Sequence, residues 1–243
     1  MKLGIFGDSF AGAKFKQNLD LSWVDILSET FDVTNYAVAG SSLYYSVDLL
    51  RKNYTKFDKI IFIATMPGRI SMPPDKVTVD PTDPHRFKHI SSLLSVDHTL
   101  PLLKKNHPKE NMLIKTWEAA ESYFMYLQNH DYEHYVHKLM LNDIQHLPAN
   151  LLIIPAFRES FNHMNQGMSL IEIVEKENAH WGIDNYSDVL SKSYDARQCH
   201  LSKENNIILA NKFADYFRTG RLQLHIDDFV NPDKDDNKYF ISK

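Results

Sequence analysis

Two stretches near opposite ends of the chain carry a hydroxyl and an imidazole in positions suited to nucleophilic chemistry. Gly7-Asp8-Ser9 follows a short apolar run, a pattern that predicts a buried strand ending in a tight turn with Ser9 exposed on it. His200 lies directly before a helical pattern near the other end. A serine hydroxyl is a weak nucleophile unless a base lies within hydrogen-bonding distance. If the fold brings the two together, we expect Ser9 to act as a nucleophile and His200 as its general base.

Neither stretch alone identifies a hydrolase. The glycines around the first turn could also belong to a phosphate-binding or dinucleotide-binding loop, but the sequence fits neither one. A phosphate-binding loop needs lysine where this chain has Ala13, and Ser or Thr where it has Phe15. Gly4 and Gly7 do not have the spacing of a dinucleotide-binding fingerprint. A histidine before a helix most often has a structural role. The pairing of the two stretches is therefore what indicates a hydrolase.

Other reactive side chains are better explained without chemistry. His130, His134 and His137 are spaced to share one helical face, which is a conceivable zinc face, but their tyrosine neighbours favour a polar helix surface. Cys199 is the only cysteine, which favours a packed, inert thiol and excludes an intrachain disulfide. We expect neither a metal nor a cofactor.

Strands and helices alternate along the chain, and the polar turns come at the strand ends. Apolar runs predict strands at 3–6, 33–38, 59–64 and 151–155, and helical patterns cover 22–27, 43–50, 112–146, 169–177 and 202–217. Ser22 and Ser202 are placed as helix caps. This order predicts an α/β fold, a three-layer doubly wound (flavodoxin-like) parallel sheet of about 4–5 strands with helices on both faces. Its ligand crevice is expected at the carboxyl edge of the sheet.

Residues 70–111 interrupt this alternation. They are rich in Pro, His, Asp and Lys and show little periodicity. We predict a single domain over residues 1–230 with an insertion at about 70–111, which is either a lid beside the crevice or a plain surface loop. Residues 231–243 are predicted to form a charged, solvated tail.

The composition excludes several classes of protein. The chain has 243 residues, of which 43% are hydrophobic and 24% charged, with a net charge of −4. This is the balance of an ordinary globular protein, and it gives no electrostatic reason to expect nucleic acid or an anionic membrane as a partner. The sequence shows no signal peptide or membrane-spanning segment, so a soluble cytoplasmic protein is expected, with association with a virus particle as an alternative.

The chain resembles the SGNH/GDSL family of serine hydrolases. Gly7-Asp8-Ser9 is similar to the first block of that family, and residues 35–42 are similar to the second, whose glycine would be Gly40. His200 before the last long helix is similar to the final block. The resemblance implies an α/β esterase in which Ser9 is acylated, His200 is the base, and the Ser9 and Gly40 amides bind the oxyanion.

Two departures from the family pattern concern the remaining site residues. The third block usually supplies an Asn side chain to the oxyanion, whereas this chain has Thr65, with Arg69 close behind. We group Thr65, Arg69 and Asp8 with Gly40 as candidate oxyanion or substrate-binding residues. The acid that usually precedes the histidine by three positions is replaced by Arg197, and Asp195 is the nearest carboxylate in that loop. Asp195 is our candidate triad acid, and a main-chain carbonyl holding the imidazole of a Ser-His dyad is the alternative.

Hydrolysis of an ester is the function that these residues predict. The expected substrate is a small molecule or glycan that carries a small O-acyl group, such as an acetyl group on a carbohydrate. The alternative is a catalytically impaired SGNH-fold module with a binding or structural role. A third hypothesis is a glycan deacetylase within a larger assembly such as a virus particle. The sequence leaves the acyl group and the oligomeric state open.

Overall fold

The computed structural model describes residues 1–12, 22–71, 89–90, 93–106, 108–109, 111–147, 150–161, 168–180 and 201–231. The first half of the chain forms β1 (Lys2–Phe6), α1 (Ser9–Gly12), α2 (Trp23–Ser28), β2 (Asp32–Asn35), α3 (Leu43–Asn53), a 3-10 turn (Tyr54–Lys56), β3 (Lys59–Ala64), β4 (Ile70–Ser71), β5 (His89–Ile90) and α4 (Leu93–Asn106). The second half forms α5 (Asn111–Ser122), a π-helical turn (Tyr123–Leu127), α6 (His130–Gln145), β6 (Leu151–Pro155), α7 (Arg158–Phe161), α8 (Leu170–His180), α9 (Lys203–Thr219) and a 3-10 turn (Ile226–Asp228).

Four of the described strands form one sheet in the order β2-β1-β3-β6, and every neighbouring pair is parallel. The predictions of strands at 3–6, 59–64 and 151–155 are confirmed, and the one predicted at 33–38 ends early, at Asn35. If the four strands are numbered by their order along the chain, their order across the sheet is 2-1-3-4. This order is compatible with a flavodoxin-like fold, in which the connection reverses direction between the first and third strands.

Helices pack on both faces of this sheet, so β3 is buried on both sides. On one face the fully buried side chains include Leu3, Ile61, Ile63, Trp23, Leu209 and Phe213. On the other face they include Phe6, Ile60, Phe62, Leu50, Leu141 and Ile144. The apolar run in β3 has the composition of a central parallel strand because its alternate residues enter two different cores.

Local sequence signals fix where several helices begin and end. Ser22 and Asp25 form the expected capping box at the start of α2, and Ser202 caps α9 through a bond from the Asn205 amide. The prediction of one helix over 112–146 is wrong. The helix is interrupted after the π-helical turn, which ends at Leu127, and α6 begins at His130 with Asn129 as its N-cap. In the described part of the chain, no helix is long and apolar enough to cross a membrane.

The described part of residues 70–111 contains regular structure. β4 and β5 pair as a short antiparallel ladder, with Ile70 opposite Ile90, and α4 follows as a helix of 14 residues. Together with α5 they enclose a third core cluster, separate from the two on the sheet. Its buried members are Ile90, Val96, Leu100, Leu103, Leu113, Trp117, Ala120 and Phe124. Weak periodicity in the sequence therefore concealed a small packed unit.

Candidate active site

The turn after β1 has a geometry that requires glycine. Gly7 has a φ of +141°, and a Cβ atom there would lie 2.6 Å from the Ile63 carbonyl oxygen of β3. A side chain at this position would therefore combine a strained backbone with a steric clash. Gly7 lets the chain pass close against β3, and this brings Asp8 and Ser9 to the carboxyl edge of the sheet.

The Gly7 carbonyl ties this turn to the loop that contains Gly40. It accepts hydrogen bonds from the Val38 amide at 3.0 Å, from Ser41 Oγ at 3.0 Å and from Ser46 Oγ at 3.3 Å. Gly40 itself has a φ of +74°, in the left-handed region that favours glycine. The structure thus brings together the two turns that the sequence analysis assigned to the nucleophile and to one oxyanion donor.

Asp8 lies at the centre of a buried hydrogen-bond network. Its side chain is completely inaccessible to solvent. One carboxylate oxygen accepts from the Phe10 amide at 3.1 Å, and the other accepts from Thr65 Oγ1 at 2.8 Å and from Arg69 Nη1 at 3.2 Å. Three of the candidate site residues, Asp8, Thr65 and Arg69, are therefore in direct contact.

The Phe157 ring packs against the Arg69 guanidinium. Its Cζ atom lies 4.9 Å from the centre of the Phe157 ring, and Phe10 meets that ring edge-on with the ring centres 5.6 Å apart. Only 7% of the Arg69 side chain is exposed. A cation so shielded from water is stabilised by the Asp8 charge and by the face of the aromatic ring.

The carbonyl of Thr65 is held from the opposite direction by two buried side chains. Ser160 Oγ donates to it at 2.8 Å, and His137 Nε2 lies 2.6 Å from it. Because a carbonyl oxygen only accepts, His137 Nε2 carries a hydrogen and is the donor in this contact. The end of β3 is thus fixed by α6 and α7, and Thr65 is in turn fixed against Asp8.

The sequence predicted that His137 lies on a polar helix surface, and this prediction is wrong. It is buried on the face of α6 that also carries Leu141 and Ile144, four and seven residues further on. That spacing was the signal that could have placed it in the core. Among the described residues, no group of three or more His, Cys, Asp or Glu side chains is arranged to hold a metal ion.

Ser9 is partly buried and is the first residue of α1. Asp8 caps this short helix, since its side chain accepts from the Phe10 amide and its carbonyl from the Ala11 amide at 3.1 Å. Asp195 and His200, the two predicted partners of Ser9, lie outside the described residues.

A short chain of hydrogen bonds connects the residue after Ser9 with the residue after His200. Trp23 Nε1 donates to the Phe10 carbonyl at 2.7 Å, and the Trp23 amide donates to Asn206 Oδ1 at 3.0 Å. Asn206 Nδ2 then donates to the Leu201 carbonyl at 3.0 Å. Phe10 and Leu201 also belong to the same core cluster. The start of α9 is therefore held on the same side of the sheet as α1.

A buried carboxylate reinforces the start of α9. Glu177 of α8 accepts from the Ser202 amide through both oxygens, at 3.0 and 3.2 Å, and from the side-chain amide of Asn205. Asn205 also exchanges two hydrogen bonds of 2.9 Å with the Val230 backbone. The backbone two residues after His200 is thus fixed by α8 and by the segment that follows α9.

A groove of about 210 Å³ opens beside the Asp8 network. Its walls come from the start of α3, the loop after β3, Tyr123 and α6. Arg69 and His137 line it, and both also belong to the network around Asp8 and Thr65. The groove and the Ser9 turn are thus joined through Arg69 and Asp8.

No protein-family model matches this chain, and no curated protein matches it. Its chemistry must therefore be inferred from its own residues and contacts.

Local sequence signals identified the residues of the first turn and, in Thr65 and Arg69, only some of those that hold it in place. Ser41 and Ser46, which bond the Gly7 carbonyl, and Ser160, which bonds the Thr65 carbonyl, were not singled out. Isolated serines carry no periodic signal, and these pairs are formed only when distant segments meet. Glu177 was also missed, although a carboxylate within an otherwise apolar helical face is a recognisable sign of a buried polar contact.

Proposed function

We propose that this chain is a serine ester hydrolase of the SGNH type, in which Ser9 is the nucleophile and His200 its general base. The observation that carries the proposal is the path from Phe10 through Trp23 and Asn206 to Leu201. Phe10 and Leu201, the immediate neighbours of the two reactive residues, are 191 positions apart in sequence. Three hydrogen bonds connect them through Trp23 and Asn206. A proton transfer between Ser9 and His200 requires the two segments to lie on one side of the sheet, and this path is what supports that requirement.

The position of the turn in the sheet supports the same proposal. In open parallel sheets, ligands bind outside the carboxyl ends of the strands, where the strand order reverses. Here β1 lies between β2 and β3, so the reversal falls beside the Gly7-Asp8-Ser9 turn. The Ser9 turn, the Gly40 loop and Arg69 all follow strands of this sheet, so they are found where a ligand crevice is expected.

The proposed reaction is acyl transfer to water. His200 accepts the Ser9 proton as Oγ bonds to the ester carbonyl carbon, and the resulting oxyanion accepts hydrogen bonds from the Ser9 and Gly40 amides. The carbon–oxygen bond to the alcohol then breaks, and the imidazolium returns its proton to the leaving alcohol. Water, deprotonated by the same imidazole, attacks the acyl-enzyme and releases the carboxylic acid and free Ser9.

Asp8 and its partners have distinct parts in this proposal. The single hydroxyl hydrogen of Thr65 is donated to Asp8, so Thr65 primarily braces the turn. Arg69 has five N–H donors and lines the groove, which makes it the better candidate for contact with the substrate. Asp195 remains our proposed partner of the imidazole.

The decisive experiment compares p-nitrophenyl acetate hydrolysis by the wild type, Ser9→Ala and His200→Ala. We expect both variants to lose at least about 10³-fold in kcat, because serine and histidine act as a unit. Ser122→Ala and His146→Ala, at exposed positions, are the matched controls and should retain full activity. A fluorophosphonate probe should add its mass to the Ser9 peptide in the wild type and in the two control variants, and should not label Ser9→Ala. Equal rates in the wild type and Ser9→Ala would refute the esterase.

A binding module without catalysis is the second candidate, and one observation favours it. The position where the SGNH family has an oxyanion-binding Asn is Thr65, whose hydroxyl is committed to Asp8. Loss of one oxyanion donor costs roughly 10²–10³ in rate. This candidate predicts background-level hydrolysis in the wild type and no reaction with the fluorophosphonate.

A further inference from the structure

The groove beside the Asp8 network is lined by tyrosines, by apolar side chains such as Val136 and Met140, and by the polar groups of Arg69 and Glu133. We infer that it binds a single neutral sugar ring, the alcohol part of the ester substrate. The inference deepens the proposed esterase function and rests on it for the reaction, whereas binding of the ring is tested separately. It stands on the size of the groove, its two exposed tyrosines and the pairing of its charges.

The volume of the groove limits the ligand. At about 210 Å³ it is smaller than the roughly 300–1,000 Å³ of sites that enclose drug-sized ligands. A single compact ring would fill such a volume, and the rest of a larger ligand would extend out of the open side of the groove. The alcohol part bound here is therefore a single ring or the terminal ring of a longer glycan.

Two tyrosines line the groove while remaining open to solvent. Tyr44, near the start of α3, is 67% exposed, and Tyr132, in the first turn of α6, is 64% exposed. A tyrosine offers a rigid apolar face and a polar hydroxyl at little cost in conformational entropy. A sugar ring presents the complementary surface, since its C–H groups form an apolar face and its hydroxyls project around the edge.

Both charges that line the groove are already bonded within the protein. Arg69 donates to Asp8, and Glu133 accepts from the Tyr123 hydroxyl at 2.8 Å and from the Gln128 side-chain amide at 3.0 Å. Burial and the bond to Glu133 raise the pKa of Tyr123 to about 12, so its hydroxyl stays protonated at neutral pH. A groove with its charges paired favours a neutral, hydrogen-bonding ligand over an ionic one.

Arg69 connects the ring site with the chemistry. Its guanidinium lines the groove and bonds Asp8, the residue directly before the proposed nucleophile. A ring bound in the groove could contact Arg69, which is one hydrogen bond away from the turn that carries Ser9. On this inference the groove determines specificity for the alcohol part of the ester, which the kinetic test below compares with the acyl part.

The binding test uses Ser9→Ala, so that hydrolysis plays no part. Saturation-transfer NMR with the neutral methyl glycosides of glucose, galactose, xylose and N-acetylglucosamine should show contact with at least one. Tyr44→Ala and Tyr132→Ala, made in that background, should weaken the binding about fivefold to tenfold through the loss of aromatic contact. Tyr135→Ala is the matched control, because Tyr135 is also an exposed tyrosine of α6 but does not line the groove.

A kinetic test then links the groove to the reaction. In the otherwise wild-type protein, Tyr132→Ala should lower kcat/KM for glucose pentaacetate about fivefold to tenfold more than kcat/KM for p-nitrophenyl acetate. Failure of all four glycosides to bind, or binding that is equal in the tyrosine variants and the control, overturns the sugar site. Glycoside binding with no Ser9-dependent hydrolysis would support the groove and refute the esterase. If Tyr132→Ala lowers kcat/KM more for p-nitrophenyl octanoate than for glucose pentaacetate, the groove binds the acyl group and the inference is overturned.

Discussion

At the scale of single residues, the buried pair of Asp8 and Arg69 should dominate the stability of the site. Replacing Asp8 by Asn keeps the shape but leaves the Arg69 guanidinium enclosed without its counter-charge. Removing one partner of a buried ion pair costs about 3–5 kcal/mol. We therefore expect Asp8→Asn to lower the free energy of unfolding by that amount, as measured by urea denaturation.

An exposed ion pair provides the matched comparison. Lys104 Nζ lies 2.8 Å from Glu118 Oε1, and about half of each side chain is exposed. Such exposed pairs contribute only about 0–1 kcal/mol to the free energy of unfolding. Glu118→Gln should therefore change stability far less than Asp8→Asn. Adding Arg69→Met to Asp8→Asn should recover part of the loss, because no buried charge then remains. Similar losses in the two single variants would contradict this account of Asp8.

Residue types and local spacing predicted part of the candidate site. The Gly7-Asp8-Ser9 turn and Gly40 could be singled out because turns and glycines carry local signals. Thr65 and Arg69 were named, but their bonds to Asp8, some 60 residues away, could not be predicted from one sequence. Such contacts depend on which strands become neighbours, and neither spacing nor composition encodes that. The roles of Ser9 and His200 remain predictions.

At the scale of elements, Asn206 joins three pieces of the fold. Its side chain bonds the Trp23 amide of α2 and the Leu201 carbonyl before α9, and Trp23 in turn bonds α1. We expect Asn206→Ala to cost about 1–3 kcal/mol, because two partly buried backbone groups lose their partner. It should also lower kcat for p-nitrophenyl acetate, because α9 would no longer be tied to α1.

Asn211→Ala, at an exposed position of the same helix, is the control, and it should leave both stability and kcat unchanged. Chemical denaturation and steady-state kinetics measure the two effects. An Asn206→Ala protein with normal kcat would show that the bridge to Leu201 does not serve the reaction.

The sequence predicted elements well wherever the signal was local. Capping residues marked the starts of α2 and α9, and the apolar run of β3 identified a strand buried on both faces. The break between α5 and α6 was missed because helical residues occupy both sides of the Asn129 cap. The β4-β5 ladder has only two residues in each strand, too few for alternation to appear.

At the scale of the whole molecule, three core clusters divide the described chain into unequal parts. The two clusters on the sheet share its strands, since alternate residues of β3 enter one or the other. They should therefore unfold together. The third cluster is built only from residues between Ile70 and Phe124, and it contains no strand of the parallel sheet. Its stability is thus determined largely by contacts among α4, α5 and the β4-β5 ladder.

Hydrogen exchange of the native protein can test this division. Leu103→Ala, in the third cluster, should lower the opening free energy of α4 and α5 by about 2–5 kcal/mol, while the amides of β1 and β3 keep their protection. Leu50→Ala, equally buried beside the sheet, should accelerate exchange throughout the strands. Because Tyr123 of the groove packs against the third cluster, Leu103→Ala should also weaken glycoside binding. If Leu103→Ala instead accelerates hydrogen exchange equally in β3 and α4, all three clusters open as one unit.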